Sequence, residues 1–233
     1  LHVEAFQLII DEFNKGADFV YSDSAIVEKS GVPRIFPSAQ GWRTRRHEFD
    51  GPHTKGPILA HDAPPLLPQN LSRIWYAPDH VRAWRAENYW NCGGHDISMP
   101  ALDDLDLMQR MFISGAKFAH IPRCLYRYLV HGENTWIKRN QFIQESTLAM
   151  HDARIHELAL AAWSGKKMCV DLGGGINSPK GWTSCDRHSA EITADLEKPW
   201  PFETDSVGAF RAHDFIGHIR GPIHLMNEAG RRL

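Results

Sequence analysis

Three carboxylates, Asp103, Asp104 and Asp106, crowd the run Leu-Asp-Asp-Leu-Asp-Leu at residues 102–107. An aspartate that is ionised near neutral pH can serve as a general base, taking the proton of a hydroxyl as its oxygen forms a new bond. The same charges also have a plainer use, because acids on the first turn of a helix complement the backbone dipole by a few tenths to about 1 kcal/mol. Three acids exceed what a helix end needs, so one of them is expected to face a cleft. Gly93 and Gly94 lie in a loop, Tyr89–Asp96, just upstream, and His131 ends a strand-like run at His131-Gly-Glu-Asn134. Taken alone, such a histidine is a surface or core residue. Further on, Met168-Cys-Val-Asp-Leu-Gly-Gly-Gly175 runs from a strand straight into a glycine turn, and the strand Trp182–Asp186 ends on an acid. A turn without side chains lets backbone approach a ligand, and an acid closing the second strand can accept from both hydroxyls of a ribose. Three glycines by themselves fit a tight structural turn equally well.

The elements that must position these residues follow from periodicity. Leu102, Leu105, Met108 and Phe112 recur at spacings of three and four between Pro100 and Gly115, which predicts a helix with the acids on its first turn. Val3, Phe6, Ile9 or Ile10 and Phe13 mark one face of an opening helix closed by Gly16, and Asp18–Asp23 reads as a short buried strand. From Ser24 to about Gln69 no period is sustained amid Pro, Gly and His, so a long loop with only short strands is expected. Within it Arg43-Thr-Arg-Arg46 suits phosphate groups or plain solvent, and the sequence assigns it to neither. Pro78–Asn88 reads as a short helix, followed beyond the acidic helix by two strand-like runs, Lys117–Ile121 and Leu125–Val130. Trp136–Trp163 is helical in composition, as one helix or two.

Composition sets the outer limits. The chain has 233 residues, 42% of them hydrophobic and 23% charged, enough for a large core or two modest ones. With 26 Lys and Arg against 28 acids, no basic excess argues for nucleic acid or an anionic membrane. Cys92, Cys124, Cys169 and Cys185 include no C-x-x-C pair, which argues against a zinc module or a disulfide framework and for a reducing compartment. No run of about twenty apolar residues offers a transmembrane helix. The opening Leu1 suggests a piece of a longer protein.

Two stretches carry family resemblances. "GGHDISMPALDDLDLMQRMFISGAKFAHIPRCLYRYLVHGENT", with "ADFVYSDSAIVEKSGVPR" upstream, resembles the distal half of a family 2 glycosyltransferase of the GT-A fold. That family's pattern is a Gly-Gly-Phe-Asp loop, then Glu-Asp-x-Asp-Leu on a helix, then Tyr-Arg-x-x-x-His-x-x-Asn; here His95 stands for the Phe and Asp103 for the Glu. The resemblance implies that Asp104 is the catalytic base, that Gly93, Gly94, Asp96 and Asp103 border the acceptor and donor site, and that His131 lies near the donor diphosphate and its divalent cation, Mn or Mg. It implies a nucleotide-sugar donor and a glycan or lipid-linked sugar acceptor. The family's nucleotide-binding strands and its Asp-x-Asp would lie upstream of Leu1, and Asp23 is not that motif.

"VDLGGGINSPKGWTSCDRHSAEITADLEKPWPFETDSVGAFRAHDFIGHI" resembles the N-terminal half of a class I S-adenosylmethionine-dependent methyltransferase. By position Asp171, Gly173 and Gly175 match the cofactor's amino-acid and ribose turn, Asp186 the ribose acid and Asp195 the residue beside the adenine. Val207–His213 is the expected fourth strand, and Gly217-His218 stands where many relatives have Glu-His. Together the resemblances imply an α/β chain: a glycosyltransferase part over residues 1–135, a helical linker over 136–165 and a partial Rossmann-like methyltransferase sheet over 166–233. The implied function is a segment of a bifunctional enzyme of polysaccharide biosynthesis, cytoplasmic or peripheral to a membrane. The alternative is a non-catalytic binding or scaffolding fragment with incomplete modules.

Overall fold

In the computed structural model of the chain, residues 1–35, 43–72 and 78–233 are described, and β1 (Phe19–Glu28) is the axis of the first sheet. It is buried along most of its length, as a strand covered on both faces should be. Strand β5 (Phe118–Val130) runs parallel along one of its edges. The other edge is shared by two antiparallel partners, β4 (Arg82–Trp84) opposite Phe19–Tyr21 and β3 (Thr54–Asp62) at Ser24, with β2 (Arg43–Gly51) pairing β3 outside it. Helix α1 (Ala5–Asn14) covers a cluster of Ala5, Ile9, Ala17, Val20, Ile121 and Leu125. The short helices α2 (Pro68–Leu71) and α3 (Ala86–Asn91) precede α4 (Asp103–Ile113), whose Leu105, Met108 and Met111 are buried.

Several sequence expectations change in this half. The buried face of α1 is Ala5 and Ile9 with Leu8 and Phe13, while Phe6 is 70% exposed; small Ala5, not bulky Phe6, fits against the sheet. The loop expected from Ser24 to Gln69 contains instead the second half of β1 and a hairpin of two nine-residue strands, β2 and β3. Its inward positions on β2 are His47 and Phe49, so the alternation is partly polar and carries little hydrophobic signal. Residues 36–42 of that expected loop lie outside the described residues. The helix expected over Pro78–Asn88 is the strand β4 followed by α3. The two runs expected over Lys117–Val130 are one strand, because the register shifts where Ile121 pairs with Ser22 and Cys124 with Asp23, leaving Pro122 and Arg123 as the extra residues of a bulge. Leu102 is not in the acidic helix but caps it in the left-handed region, φ 69°, with its side chain buried.

After α5 (Thr135–Lys138), one helix, α6, runs unbroken from Asn140 to Trp163. The chain forms two compact units, Leu1–Ile155 and His156–Leu233, divided within α6. The second unit holds an all-parallel sheet in the order β8 (Ile192–Thr193), β7 (Thr183–Asp186), β6 (Met168–Leu172), β9 (Val207–Arg211). Helix α7 (Pro222–Arg232) packs Leu225 with Val170, Leu172, Trp200 and Phe202. A second cluster joins Ala159, Leu160 and Trp163 to Cys169, Trp182 and Ala209. A β-carbon at Gly208 would collide with the Trp163 ring, which is why this strand carries a glycine there. All four cysteines are free, and among the described residues no helix is long and apolar enough to cross a membrane.

Candidate functional site

The three acids of α4 separate into three environments. Asp106 is buried and bound by Arg110 at 2.6 Å and Arg154 at 2.7 Å, so it fastens α6 and the glycine loop rather than facing a cleft. Asp103 is half-exposed with His95 Nε2 at 3.9 Å. Asp104 pairs with the guanidinium of Arg82 on β4 and accepts the Leu105 amide at 2.8 Å, yet its side chain stays 39% exposed. Its partial burial opposes ionisation, but Arg82, the Leu105 amide and His80 outweigh that and hold the carboxyl below its ordinary value. Asp104 is therefore an ionised, reachable carboxylate at a helix start.

The glycine loop is shaped by two side chains. Gly94 has φ 67°, and a β-carbon there would lie 3.1 Å from the Tyr89 ring, whose hydroxyl meets His95 Nδ1 at 3.0 Å. Gly93 has φ 83°, and Arg110 bonds the carbonyls of Cys92 and Gly94. Asp96 is exposed and turns back on Ser98, accepting its hydroxyl at 2.6 Å and its amide at 2.9 Å; these bonds lower its pKa and serve the loop itself.

His131 sits just beyond β5. Its amide donates to Asn134 Oδ1 at 2.5 Å, and Asn134 Nδ2 donates to the Tyr128 hydroxyl at 3.0 Å. Tyr128 in turn stacks on His80 with centroids 5.5 Å apart, which connects the end of β5 to the surroundings of Asp104. His131 also lines an open pocket of about 440 Å³ with Glu28, Lys29, Val130 and Ile137.

A divalent cation of the kind the resemblance implies would need carboxylate ligands, and among the described residues one group has the right composition: Asp23, His47 and Asp62. It does not fit. The Cys124 amide donates to His47 Nδ1 at 3.2 Å, which places the imidazole proton on Nε2, the atom facing Asp62 Oδ1 at 3.3 Å. An N–H cannot bind a metal. The carboxylates are already satisfied by Arg45, at 2.5 Å from Asp62 and 3.3 Å from Asp23, while the fully buried Asp23 also takes His120 Nε2 at 2.7 Å and the Ala63 amide at 2.8 Å. The cluster is a polar fastening of β1, β2, β3 and β5, and it gives the Arg43–Arg46 run a structural use through Arg45. His131 belongs to no such group of three among the described residues.

In the second unit the glycine turn follows β6, beside the point where strand order reverses between β6 and β9, the usual place for a ligand in an open parallel sheet. Gly175 has φ 52°, and the nearest atom a β-carbon would meet is Asp186 Oδ2 at 3.7 Å, so the acid ending β7 faces an open backbone turn. Asp186 and Gly175 suit a ribose. Asp171 does not contact open space: it is fully buried, accepting from Arg211 at 2.7 Å and from the Ser178 hydroxyl at 2.8 Å. A β-carbon at Gly173 would collide with the ring of Phe215, which lies against the turn. Asp195 is drawn to Arg187 at 2.7 Å, a bond that with the Glu197 amide lowers its pKa.

Arg82, His80, Tyr128 and Phe215 were missed from sequence, while Tyr126 is the tyrosine of the Tyr-Arg-x-x-x-His-x-x-Asn pattern. The signal available was the density of aromatic and charged residues in "YAPDHVRAW" and "LYRYL", hidden because β4 spans only Arg82–Trp84. No family model matches the chain, and no curated protein matches it.

Proposed function

We propose that the first unit belongs to a glycosyltransferase in which Asp104 takes the proton of an acceptor hydroxyl as that oxygen attacks the anomeric carbon of a nucleotide sugar. The observation that carries this reading is the separation of the three acids. Asp106 is consumed by two arginines, whereas Asp104 is ionised, oriented by Arg82 and open to solvent. Arg82 fixes one carboxylate oxygen and leaves lone pairs for a hydroxyl proton, and such a placed base typically contributes ~10²–10⁴ in rate. The donor brings the sugar and a diphosphate leaving group; no step is assigned to a metal through the Asp23 cluster.

For the second unit we propose S-adenosylmethionine binding at the turn after β6, with Asp186 accepting the ribose hydroxyls and Gly175 giving close backbone approach. The cofactor would supply an electrophilic methyl group. Asp171 is a positioning residue in this account, shaping the turn through Ser178. A binding or scaffolding role without methyl transfer is the second reading, favoured by one observation: Phe215 covers Gly173 and Asp171 is internally satisfied.

One experiment tests both units. The full-length protein is incubated with a panel of radiolabelled nucleotide sugars plus sugar acceptors, and separately with labelled S-adenosylmethionine. Transfer of sugar that disappears in Asp104→Asn supports the first reading, and absence of transfer from every donor contradicts it.

A further inference from the structure

His80 is a half-buried side chain near Asp104 and Arg82. Its main chain is pinned: the amide donates to Asp79 Oδ1 at 2.7 Å, the carbonyl accepts from Ser22 Oγ at 3.2 Å, and the following amide, of Val81, donates to the same Ser22 oxygen at 3.0 Å. Asp79 is itself held by the Ser24 hydroxyl at 2.7 Å. The ring is held as well, 5.0 Å from Tyr126 and 5.5 Å from Tyr128, nearly parallel to the latter at 9°. Such a clamp fixes the side chain, yet neither ring nitrogen has a hydrogen-bond partner among the described residues. Those nitrogens are also not among the sealed, unpartnered polar atoms there. A fixed imidazole with unused donor and acceptor, walled by tyrosine rings, suits a polyhydroxyl ligand.

We propose that His80 is a substrate-binding residue of the Asp104 site, its imidazole hydrogen-bonding a hydroxyl of the sugar acceptor beside the one that Asp104 deprotonates. The inference rests on the glycosyl-transfer reading. The proton of the attacking hydroxyl goes to Asp104, and His80 keeps its own protonation state throughout. The charged and titratable groups around the ring are Asp79, Arg82, Asp104, Tyr126 and Tyr128. Burial lowers the pKa of His80 more than its acidic neighbours raise it, so the ring is neutral at physiological pH and keeps its acceptor lone pair. Protonation on the acid side removes that lone pair and adds a second cation next to Arg82. Acceptor binding then weakens as pH falls through the lowered pKa of His80.

The test is steady-state sugar transfer from the active donor of the nucleotide-sugar panel, between pH 5 and 8, for wild type, His80→Gln and His80→Asn, each checked for folding by circular dichroism. Wild type is expected to show an acceptor KM that rises on the acid side with a single proton. Both variants should raise the acceptor KM at pH 7.5 by about five- to tenfold, the effect of one lost hydrogen bond. Donor KM should be unchanged and the acid-side rise should vanish. A folded variant with wild-type acceptor KM and an intact acid-side rise overturns the proposal while leaving Asp104 untouched. If Asp104→Asn transfers sugar as fast as wild type, or wild type uses no donor, the glycosyl-transfer reading fails and the role of His80 with it.

Discussion

Arg82 and Asp104 form an ion pair with unequal exposure: the guanidinium side chain is 11% exposed and the carboxylate 39%. The cation is thus held by the sheet while the anion looks outward, the arrangement a positioned base requires. Because the folded carboxyl titrates below its ordinary value of 3.8, the pair contributes stability above the pKa of the unfolded carboxyl and loses it as pH falls through the folded pKa. In urea denaturation, Asp104→Asn should be less stable than wild type at pH 7 by ~1 kcal/mol or less, given its exposure. The difference should shrink as pH falls from 3.8 through the lowered folded value. A gap that is constant with pH would contradict the pairing.

The glycine loop makes a second prediction. Gly94→Ala forces a left-handed alanine against the Tyr89 ring, and that backbone alone costs roughly 1–2 kcal/mol. Gly132→Ala has open space and an ordinary φ, so it should be neutral in the same denaturation assay. Equal stability of the two variants would contradict the loop geometry.

The Asp23 cluster is predicted to ignore metals. Thermal unfolding should be unmoved by EDTA or by added Mn²⁺ or Zn²⁺, because Arg45 and the His47 proton occupy the positions a cation would need. Asp23→Ala should destabilise by ~2–4 kcal/mol, since it strands the Ala63 amide, His120 and Arg45. A metal-dependent melting shift that Asp23→Ala removes would contradict the reading.

In the second unit, calorimetry with S-adenosylmethionine should separate two residues of opposite effect. Asp186→Ala loses a charged hydrogen bond of ~1.5–3 kcal/mol, about tenfold or more in affinity. Phe215→Ala clears the space over Gly173 and should tighten binding. Unchanged affinity in Asp186→Ala would remove the ribose assignment, and weaker binding by Phe215→Ala would make the ring part of the pocket instead of its cover.

How far the sequence could be read depended on whether a residue's role left a periodic trace. The acidic helix was legible from Leu105, Met108 and Phe112 with Gly115 behind them, and the turn after Leu172 from its glycines and the acid of β7. The partners were not. Arg82 lies on a three-residue strand behind Pro78, where proline and short length both suggested a helix start. His47 points inward but is polar, so β2 read as loop, and nothing local announced that Asp23 would meet residues up to 97 positions away in His120. Leu102 fits the apolar period of α4 while standing outside it, because a left-handed cap can bury a leucine as well as a helical turn can. Asp104 was fixed by Arg82 on β4, and Asp106 by Arg154 on α6 as well as by Arg110 of its own helix; the partners on other elements are encoded by no spacing within the acidic run.

The most direct test of the central claim is the rate of sugar transfer by Asp104→Asn compared with wild type at pH 7.5, with Asp152→Asn, at an exposed position of α6, as the control. The expected result is a loss of at least ~10²-fold for Asp104→Asn, with its circular dichroism spectrum unchanged, and near-normal transfer for Asp152→Asn. Wild-type turnover by Asp104→Asn would contradict it.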